Sequence, residues 1–356
     1  MTTKAIKIQG LEKIFYLGLF SPIPYLRDLP FKQLSRKVHA LKGLDLDVEQ
    51  GEIFGFLGHN GAGKSTTMKI LTGLIEATHG SAEIFGLKAG SPESRELIGF
   101  LPELPQFYDD LNAVELLDFA GALCGLDQAT RRKRAFELLE QVHMTHAMYR
   151  PLRKLSKGML QRIAVIQAFI NHPKLIILDE PMSGLDPIGR KEIRELILRH
   201  RELGATIFLS SHILPDIEMI CDRFAILDQG QLKAIDRIDT LWHDQSEMEI
   251  LVAFKEQDQF KHLSQWEAWL NELMIDQKPL WLSYDLLLGR RVINLQNFIA
   301  QMGEFNKITH CQFKVRQSDV DQLLMKLLSS KMALHIAELK TVQQNLEEVF
   351  IRYTQG

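Results

Sequence analysis

No stretch of this 356-residue sequence strings together the roughly 18–20 apolar residues that a bilayer-crossing helix needs. Cysteine is scarce. Cys124, Cys221 and Cys311 lie far apart, which argues against a disulfide framework or a paired thiolate metal site and fits a reducing compartment. Positive charge is not in excess either: 42 Lys and Arg against 45 Asp and Glu leave a formal charge of −3. Without a global basic field, no nucleic-acid partner is expected. No basic, apolar leader opens the sequence, so no secretory signal is expected. What the chain does have is enough length for a full core and two domains.

The first pattern with chemical content is Gly58-His59-Asn60-Gly61-Ala62-Gly63-Lys64-Ser65-Thr66, a full match to G-x-x-x-x-G-K-[ST]. Its context is right. Ile53-Phe54-Gly55-Phe56-Leu57 has the length and apolarity of a buried strand, and Ser65 to Leu74 reads as helix. The glycines let successive backbone N–H groups face phosphates, and the helix N-terminus adds positive potential. In such a loop Lys64 would reach the β- and γ-phosphates and the Ser65 hydroxyl would ligate Mg²⁺. Alone, the motif says nucleotide and no more.

Leu175-Ile176-Ile177-Leu178 reads as a second buried strand, and it runs straight into Asp179 and Glu180. Ligands in open α/β sheets bind at such carboxyl ends. Adjacent strand residues point to opposite sides, which suits two jobs. Asp179 would hold Mg²⁺, through water, and Glu180 would orient or deprotonate an attacking water. A third apolar run, Ala205 to Ser211, ends in His212, within reach of the γ-phosphate if it is a strand of the same sheet.

Between these elements stands Leu155-Ser156-Lys157-Gly158-Met159, followed by Leu160-Gln161-Arg162. Ser156 is a good N-cap, and Met159, Ile163, Ile166 and Ile170 follow at helical spacing. A capped amphipathic helix accounts for most of this. A lysine in the first turn is mildly unfavourable, however, unless an anion docks there. The Ser156 hydroxyl, the Gly158 N–H and the helix N-terminus would together receive a phosphate supplied from outside the chain.

In this order the phosphate loop, the Ser156–Arg162 turn, Ile176–Pro181, Ser183-Gly184-Leu185-Asp186-Pro187 and Ser210-Ser211-His212 resemble the nucleotide-binding subunit of an ABC transporter, over roughly residues 4–235. The resemblance implies an α/β P-loop NTPase domain, 1–235, with a RecA-like core, an antiparallel β subdomain and a helical subdomain at about 103–170. It implies ATP and Mg²⁺ as cofactors. It also implies a head-to-tail dimer with a second copy, each ATP lying between one phosphate loop and the other copy's Ser156 turn. On that likeness Glu180 is the catalytic carboxylate, His212 the γ-phosphate switch and Asp186 a cross-dimer contact, with Lys64 as the phosphate-loop lysine. Ser156 and Gly158 are the trans phosphate ligands, and Lys157 either meets that phosphate or lies beside it. Phe15, or alternatively Tyr16, would stack on adenine.

Two departures from the common family pattern refine the subtype. The signature reads Ser-Lys-Gly-Met for Ser-Gly-Gly-Gln, and Glu103 stands where a glutamine usually touches Mg²⁺ and the membrane partner, with Gln106 a weaker substitute. Both are similar to ABC-2 type exporter subunits. That likeness places the chain at the cytoplasmic face of a membrane, powering a separate ABC-2 type permease that supplies the pore. The helical subdomain would touch that permease, while the basic run Arg131-Arg132-Lys133-Arg134 reads as a solvated helix face. A soluble ABC ATPase acting on ribosomes or DNA is the rival class. Such proteins usually carry a second cassette, long coiled coils or zinc motifs, and this sequence has none of them. A small-molecule P-loop kinase would have no use for Ser156.

Residues 17–37 lengthen a hairpin with apolar, Pro-broken sequence and Lys32, Arg36 and Lys37. This insertion is expected to pack on its own domain or to meet the permease or lipid surface. From 236 to 356 a small α+β accessory domain is expected. Met248, Ile250, Val252 and Phe254 alternate as a strand, as do Thr309, Cys311, Phe313 and Val315. Phe260 to Leu273 reads as a helix, and Ser318 is expected to cap another carrying Val320, Leu323, Leu324 and Leu327. Leu334 and Ile336 suggest a last strand, before a helix with Leu346, Val349, Phe350 and Tyr353. The tail Asn345–Phe350 is similar to that of ABC-2 type ATPases, where the accessory domain is taken to be regulatory or dimer-stabilising.

Overall fold

A computed structural model describes residues 4–17, 36–243, 247–254, 263–275, 279, 281, 283–288, 291–293, 310–330, 334–341 and 346–355. The chain divides into two compact units, Met1–Ile238 with Leu346–Gly356, and Asp239–Asn345. The 17–37 insertion, apart from its ends, lies outside the described residues.

The first unit begins with β1 (Lys4–Leu17), β2 (Arg36–Glu49) and β3 (Ile53–Leu57), then α1 (Lys64–Leu71), β4 (His79–Ile84) and β5 (Leu87–Lys88). There follow α2 (Pro92–Glu96), β6 (Ile98–Leu101), α3 (Ala113–Leu123), α4 (Gln128–Gln141) and α5 (Lys157–Gln167). It continues with β7 (Leu175–Leu178), α6 (Pro187–Glu202), β8 (Thr206–Ser211), α7 (Leu214–Ile220), β9 (Arg223–Asp228) and β10 (Gln231–Arg237). One sheet is antiparallel, in the order β2-β1-β4-β5. The other, β10-β9-β3-β8-β7-β6, is parallel except for its β10 edge.

The parallel strands are unbroken apolar runs because both faces are covered: every residue of β3, β7 and β8 is buried. The alternation of Leu44, Leu46 and Val48 turns one face of β2 onto Ile6, Ile8, Phe54 and Phe56 in a shared core. Burying a side chain of that size contributes about 1.5–3 kcal/mol relative to exposure. Between residues 103 and 170 lie α3, α4 and α5, with Leu117, Leu139 and Val142 buried. Phe136 is 51% exposed, and the α4 core stripe runs through Ala135, Leu138 and Leu139.

The second unit is a five-stranded antiparallel sheet, in the order β13-β12-β14-β11-β15. Its strands are β11 (Glu247–Phe254), β12 (Ser283–Leu288), β13 (Arg291–Ile293), β14 (His310–Arg316) and β15 (Leu334–Thr341). Ile250, Val252, Cys311, Phe313 and Val315 pack there with Trp269 of helix Leu263–Glu272, Leu273 just after it, and Leu323 and Leu327 of helix Val320–Ser329. Ser318 is not that helix's cap. A 3₁₀ turn, Gln317–Asp319, intervenes, and the Ser318 hydroxyl bonds the Asp319 carboxylate instead. Phe260 lies outside the described residues.

The end of the chain departs from the expected 236–356 domain. The last helix, Leu346–Gln355, belongs to the first unit, where it contacts α7 and β9. An amphipathic helix declares which of its faces is apolar, not which core that face will cover.

Candidate functional site

The parallel register brings the predicted motifs to one edge of the sheet. Leu57 pairs with Ser211, Leu178 with Leu209, and Leu101 with Leu178. The segments that follow these strands, Gly58 onward, Asp179-Glu180, His212 and Pro102-Glu103, therefore leave the sheet side by side. A cleft of about 330 Å³ opens among them, with Lys64, Ser65, Thr66, Glu103, Asp179 and Glu180 in its wall.

The phosphate loop is held from both sides. The Ala62 N–H donates to the His59 carbonyl (3.0 Å), and the Gly230 N–H donates to the Ala62 carbonyl (2.9 Å). Gly63 has φ 113°, a conformation open to glycine, and it delivers the chain into α1. Gly58 has a different reason to lack a side chain: a Cβ there would lie 2.4 Å from the Leu227 carbonyl oxygen. Lys64 is 6% exposed, and its ammonium donates to the carbonyls of Gly58 (2.6 Å) and His59 (3.3 Å). It is thereby folded over the loop with its charge 4.0 Å from Glu180 Oε1.

Asp179 and Glu180 are both buried, at 2% and 8% exposed. Ser210, to which the sequence assigns no role of its own, serves both. Its hydroxyl donates to Asp179 Oδ1 (2.6 Å) and accepts from the Glu180 N–H (2.9 Å). Glu180 has φ 54°, a left-handed conformation that costs a non-glycine residue about 1–3 kcal/mol and collects at functional sites. Its carboxylate Oε2 lies 2.6 Å from His212 Nδ1. Its carbonyl and that of Pro181 accept from the Gln161 side-chain amide at 3.4 and 3.1 Å. Gln161 was in view as part of the α5 sequence without a role of its own.

Ser65, Asp179 and Glu103 supply a hydroxyl and two carboxylates to the cleft wall. Hard oxygen donors of this kind suit Mg²⁺, which takes one or two carboxylates and completes its octahedron with water and phosphate oxygens. No cluster of three or more His, Cys, Asp or Glu able to hold a metal ion occurs among the described residues. Gln106 lines a separate groove with Tyr108 and Phe119.

Other expected residues sit elsewhere. Ser156 caps α5, accepting from the Met159 N–H at 3.3 Å, and Gly158 opens the same turn. Lys157 lies along Gly184 in the segment that leads to Asp186. Asp186 caps α6, accepting from the Gly189 N–H at 2.9 Å, and pairs with Arg162 at 3.2 Å. The Gly189 N–H, with the nearby Arg162 guanidinium, holds the Asp186 carboxyl below the usual carboxylate range. Phe15 stands on β1, 37% exposed, with the Lys13 ammonium 5.1 Å over its ring. It is not in the wall of the cleft.

The ABC transporter family matches residues 41–183. An uncharacterized ABC transporter ATP-binding protein of Nostoc sp. is 39% identical over 317 residues, 85% of this chain and 89% of that protein. A second, from Synechocystis sp., is 48% identical over 201 residues, covering 56% of this chain and 57% of its own. The bacitracin transport ATP-binding protein of Bacillus licheniformis is 44% identical over 193 residues, 53% of this chain and 62% of that protein. Among solved structures, the ATP-binding subunit of an ABC transporter superposes with a TM-score of 0.56 at 32% identity, covering 67% of this chain and 92% of that one. A dimeric ATP-binding cassette in a post-hydrolysis state with ADP and Pi, at 24% identity, shares the fold with a TM-score of 0.57, over 65% of this chain and 98% of its own.

Proposed function

Since the chain belongs to the ATP-binding proteins of ABC transporters, we propose that it is the ATP-hydrolysing motor of an ABC-2 type exporter, acting on a separate membrane-spanning permease. The observation that carries this reading is the convergence of Lys64, Asp179, Glu180 and His212 on one cleft behind a phosphate loop.

The loop's N–H groups and the Lys64 ammonium take the β- and γ-phosphates of ATP, and Phe15 stacks on the adenine. Mg²⁺, held by Ser65, Asp179 and Glu103, would neutralise charge developing on the phosphate oxygens. Glu180 orients the attacking water and accepts its proton. His212, bonded to that carboxylate, senses the γ-phosphate. Phosphoryl transfer asks mainly for positioning and charge stabilisation, which a buried, hydrogen-bonded constellation supplies.

A second copy completes the site in this reading. Its Ser156, Lys157 and Gly158 approach the γ-phosphate, and Asp186 meets the facing chain. Support comes from the exposed N-terminus of a capped helix carrying an otherwise ill-placed lysine, and from the dimeric cassette that shares the fold. The permease docks at a groove lined by Gln106, Tyr108, Phe119 and Leu123, where Tyr108, Phe119 and Leu123 are exposed, as is Leu104 two residues before Gln106. No described helix is long and apolar enough to cross a membrane, in keeping with a pore made elsewhere. Docking there holds the chain at the cytoplasmic face.

The test is reconstitution with an ABC-2 type permease that copurifies with the chain. ATP turnover is expected to rise on assembly in liposomes and to fall when Leu104 and Phe119 are replaced by Asp. Turnover indifferent to the permease would overturn the export reading.

A further inference from the structure

We propose that Gln161 is a positioning residue for Glu180, and that it ties the helix which meets the second copy's nucleotide to the acid that acts on this copy's own. The inference rests on the reading of Glu180 as the catalytic carboxylate.

Glu180 sits in a left-handed conformation, with φ 54°. A non-glycine residue stays there when its surroundings fix it on both sides. On the N-terminal side the Ser210 hydroxyl accepts the Glu180 N–H at 2.9 Å. On the C-terminal side two groups hold the carbonyl: the Ser183 N–H at 3.2 Å, from within the turn, and the Gln161 amide at 3.4 Å. The same amide nitrogen donates to the next carbonyl, that of Pro181, at 3.1 Å. Gln161 is the only one of the three brought in by a different helix. The carboxylate so aimed lies 2.6 Å from His212 and 4.0 Å from Lys64, and a small rotation of the peptide would move it off both.

The location of Gln161 gives the contact a second meaning. It stands in α5, whose N-terminus carries Ser156, Lys157 and Gly158. Its neighbour Arg162 pairs with Asp186 at 3.2 Å and with Glu192 at 2.9 Å, fixing α5 to the start of α6. A phosphate of the other copy's ATP, pulling on the N-terminus of α5, therefore acts on a rod tied directly to the peptide of Glu180. Trans engagement and cis chemistry share one side chain.

The experiment uses the full-length chain and ATP. Gln161→Met keeps length and helix propensity and removes the donor. Gln161→Glu keeps the size and likewise lacks the donor, as a second loss variant. Gln161→Lys restores a donor of similar reach. With each carbonyl contact of ordinary strength, the loss variants are expected to lower kcat about five- to tenfold while the KM for ATP stays within about twofold. Gln161→Lys is expected to recover at least half of the loss. In a Glu180→Gln background, Gln161→Met is expected to cost nothing further, because the group it positions is gone. An unchanged kcat in a Glu180-intact loss variant, a KM that moves with kcat, or the same fold loss in both backgrounds would overturn the proposal. Near-normal turnover by Glu180→Gln alone would instead remove the reading of Glu180 beneath it, and that outcome is visible without any change at Gln161.

Discussion

Phe350, in the last helix of the chain, sets its ring edge-on against His59 of the phosphate loop, with centroids 4.9 Å apart. Nearly three hundred residues separate them in sequence. The helix is pinned at its start, where the Leu346 N–H bonds the Glu218 carboxylate of α7. The chain thus leaves the first unit after Ile238, builds the second, and returns to end beside its own nucleotide loop.

That contact predicts an effect on binding. The His59 carbonyl accepts from both the Ala62 N–H and the Lys64 ammonium, so a fixed His59 preorganises the loop. An edge-on aromatic pair is worth about 0.5–1.5 kcal/mol, and losing it is expected to weaken ADP binding about two- to tenfold in Phe350→Ala. Phe350→Leu should recover part of the loss by keeping the apolar contact. Calorimetric titration of ADP reads both, and an unchanged affinity would reduce the contact to packing alone.

Glu180→Gln keeps the shape and the backbone bonds and removes the base. Its expected phenotype is retained ATP binding, steady-state hydrolysis lowered ~10²–10⁴-fold, and accumulation of an ATP-bound dimer on size exclusion. Near-normal turnover would refute the assigned role.

How much of this was readable beforehand follows the physics of each element. β3, β7 and β8 were legible because strands buried on both faces must be continuous apolar runs, and each leads directly into one of the motifs, at Gly58, Asp179 and His212. The β12–β13 hairpin was missed: Leu286-Leu287-Leu288 does not alternate, so its period says nothing about a strand. Ser210 and Gln161 carry no local signal for what they do. One bridges β8 to the acids that follow β7, the other spans from α5, and only the packed sheet brings them within hydrogen-bond range. Phe350 was legible as the apolar face of a helix, but not as the neighbour of His59.

Asp186 has two jobs to separate. Within its own chain it caps α6, and capping by Asp is worth about 0.5–2 kcal/mol, so Asp186→Ala is expected to lower the thermal unfolding midpoint. Asn caps as well as Asp without the charge. Asp186→Asn is therefore expected to keep the midpoint and yet weaken ATP-driven dimer closure, if the carboxylate also meets a second copy. Light scattering in the Glu180→Gln background measures closure. A dimer as tight as that of the parent would leave Asp186 a cap and nothing more.

Acid sensitivity should come from a residue remote from the cleft. His200 is 3% exposed in α6, its Nδ1 bonded to the Leu196 carbonyl at 2.9 Å and its ring edge-on to Phe169 at 4.5 Å. Burial lowers its pKa from 6.5 to about 4. The Leu196 carbonyl opposes that shift, and the positive charge of Arg134, His172 and Arg199 adds to it. Between those two values the unfolded chain binds a proton that the folded chain does not. Stability therefore rises with pH across that window and is lost on acidification through it, by an amount on the order of 3 kcal/mol. Above about 6.5 both states are neutral at this site and the contribution is flat. Urea unfolding of the full chain at pH 7.5 and pH 5 should show the drop, and His200→Gln should shrink it. An identical drop in the variant would assign the acid sensitivity to other groups.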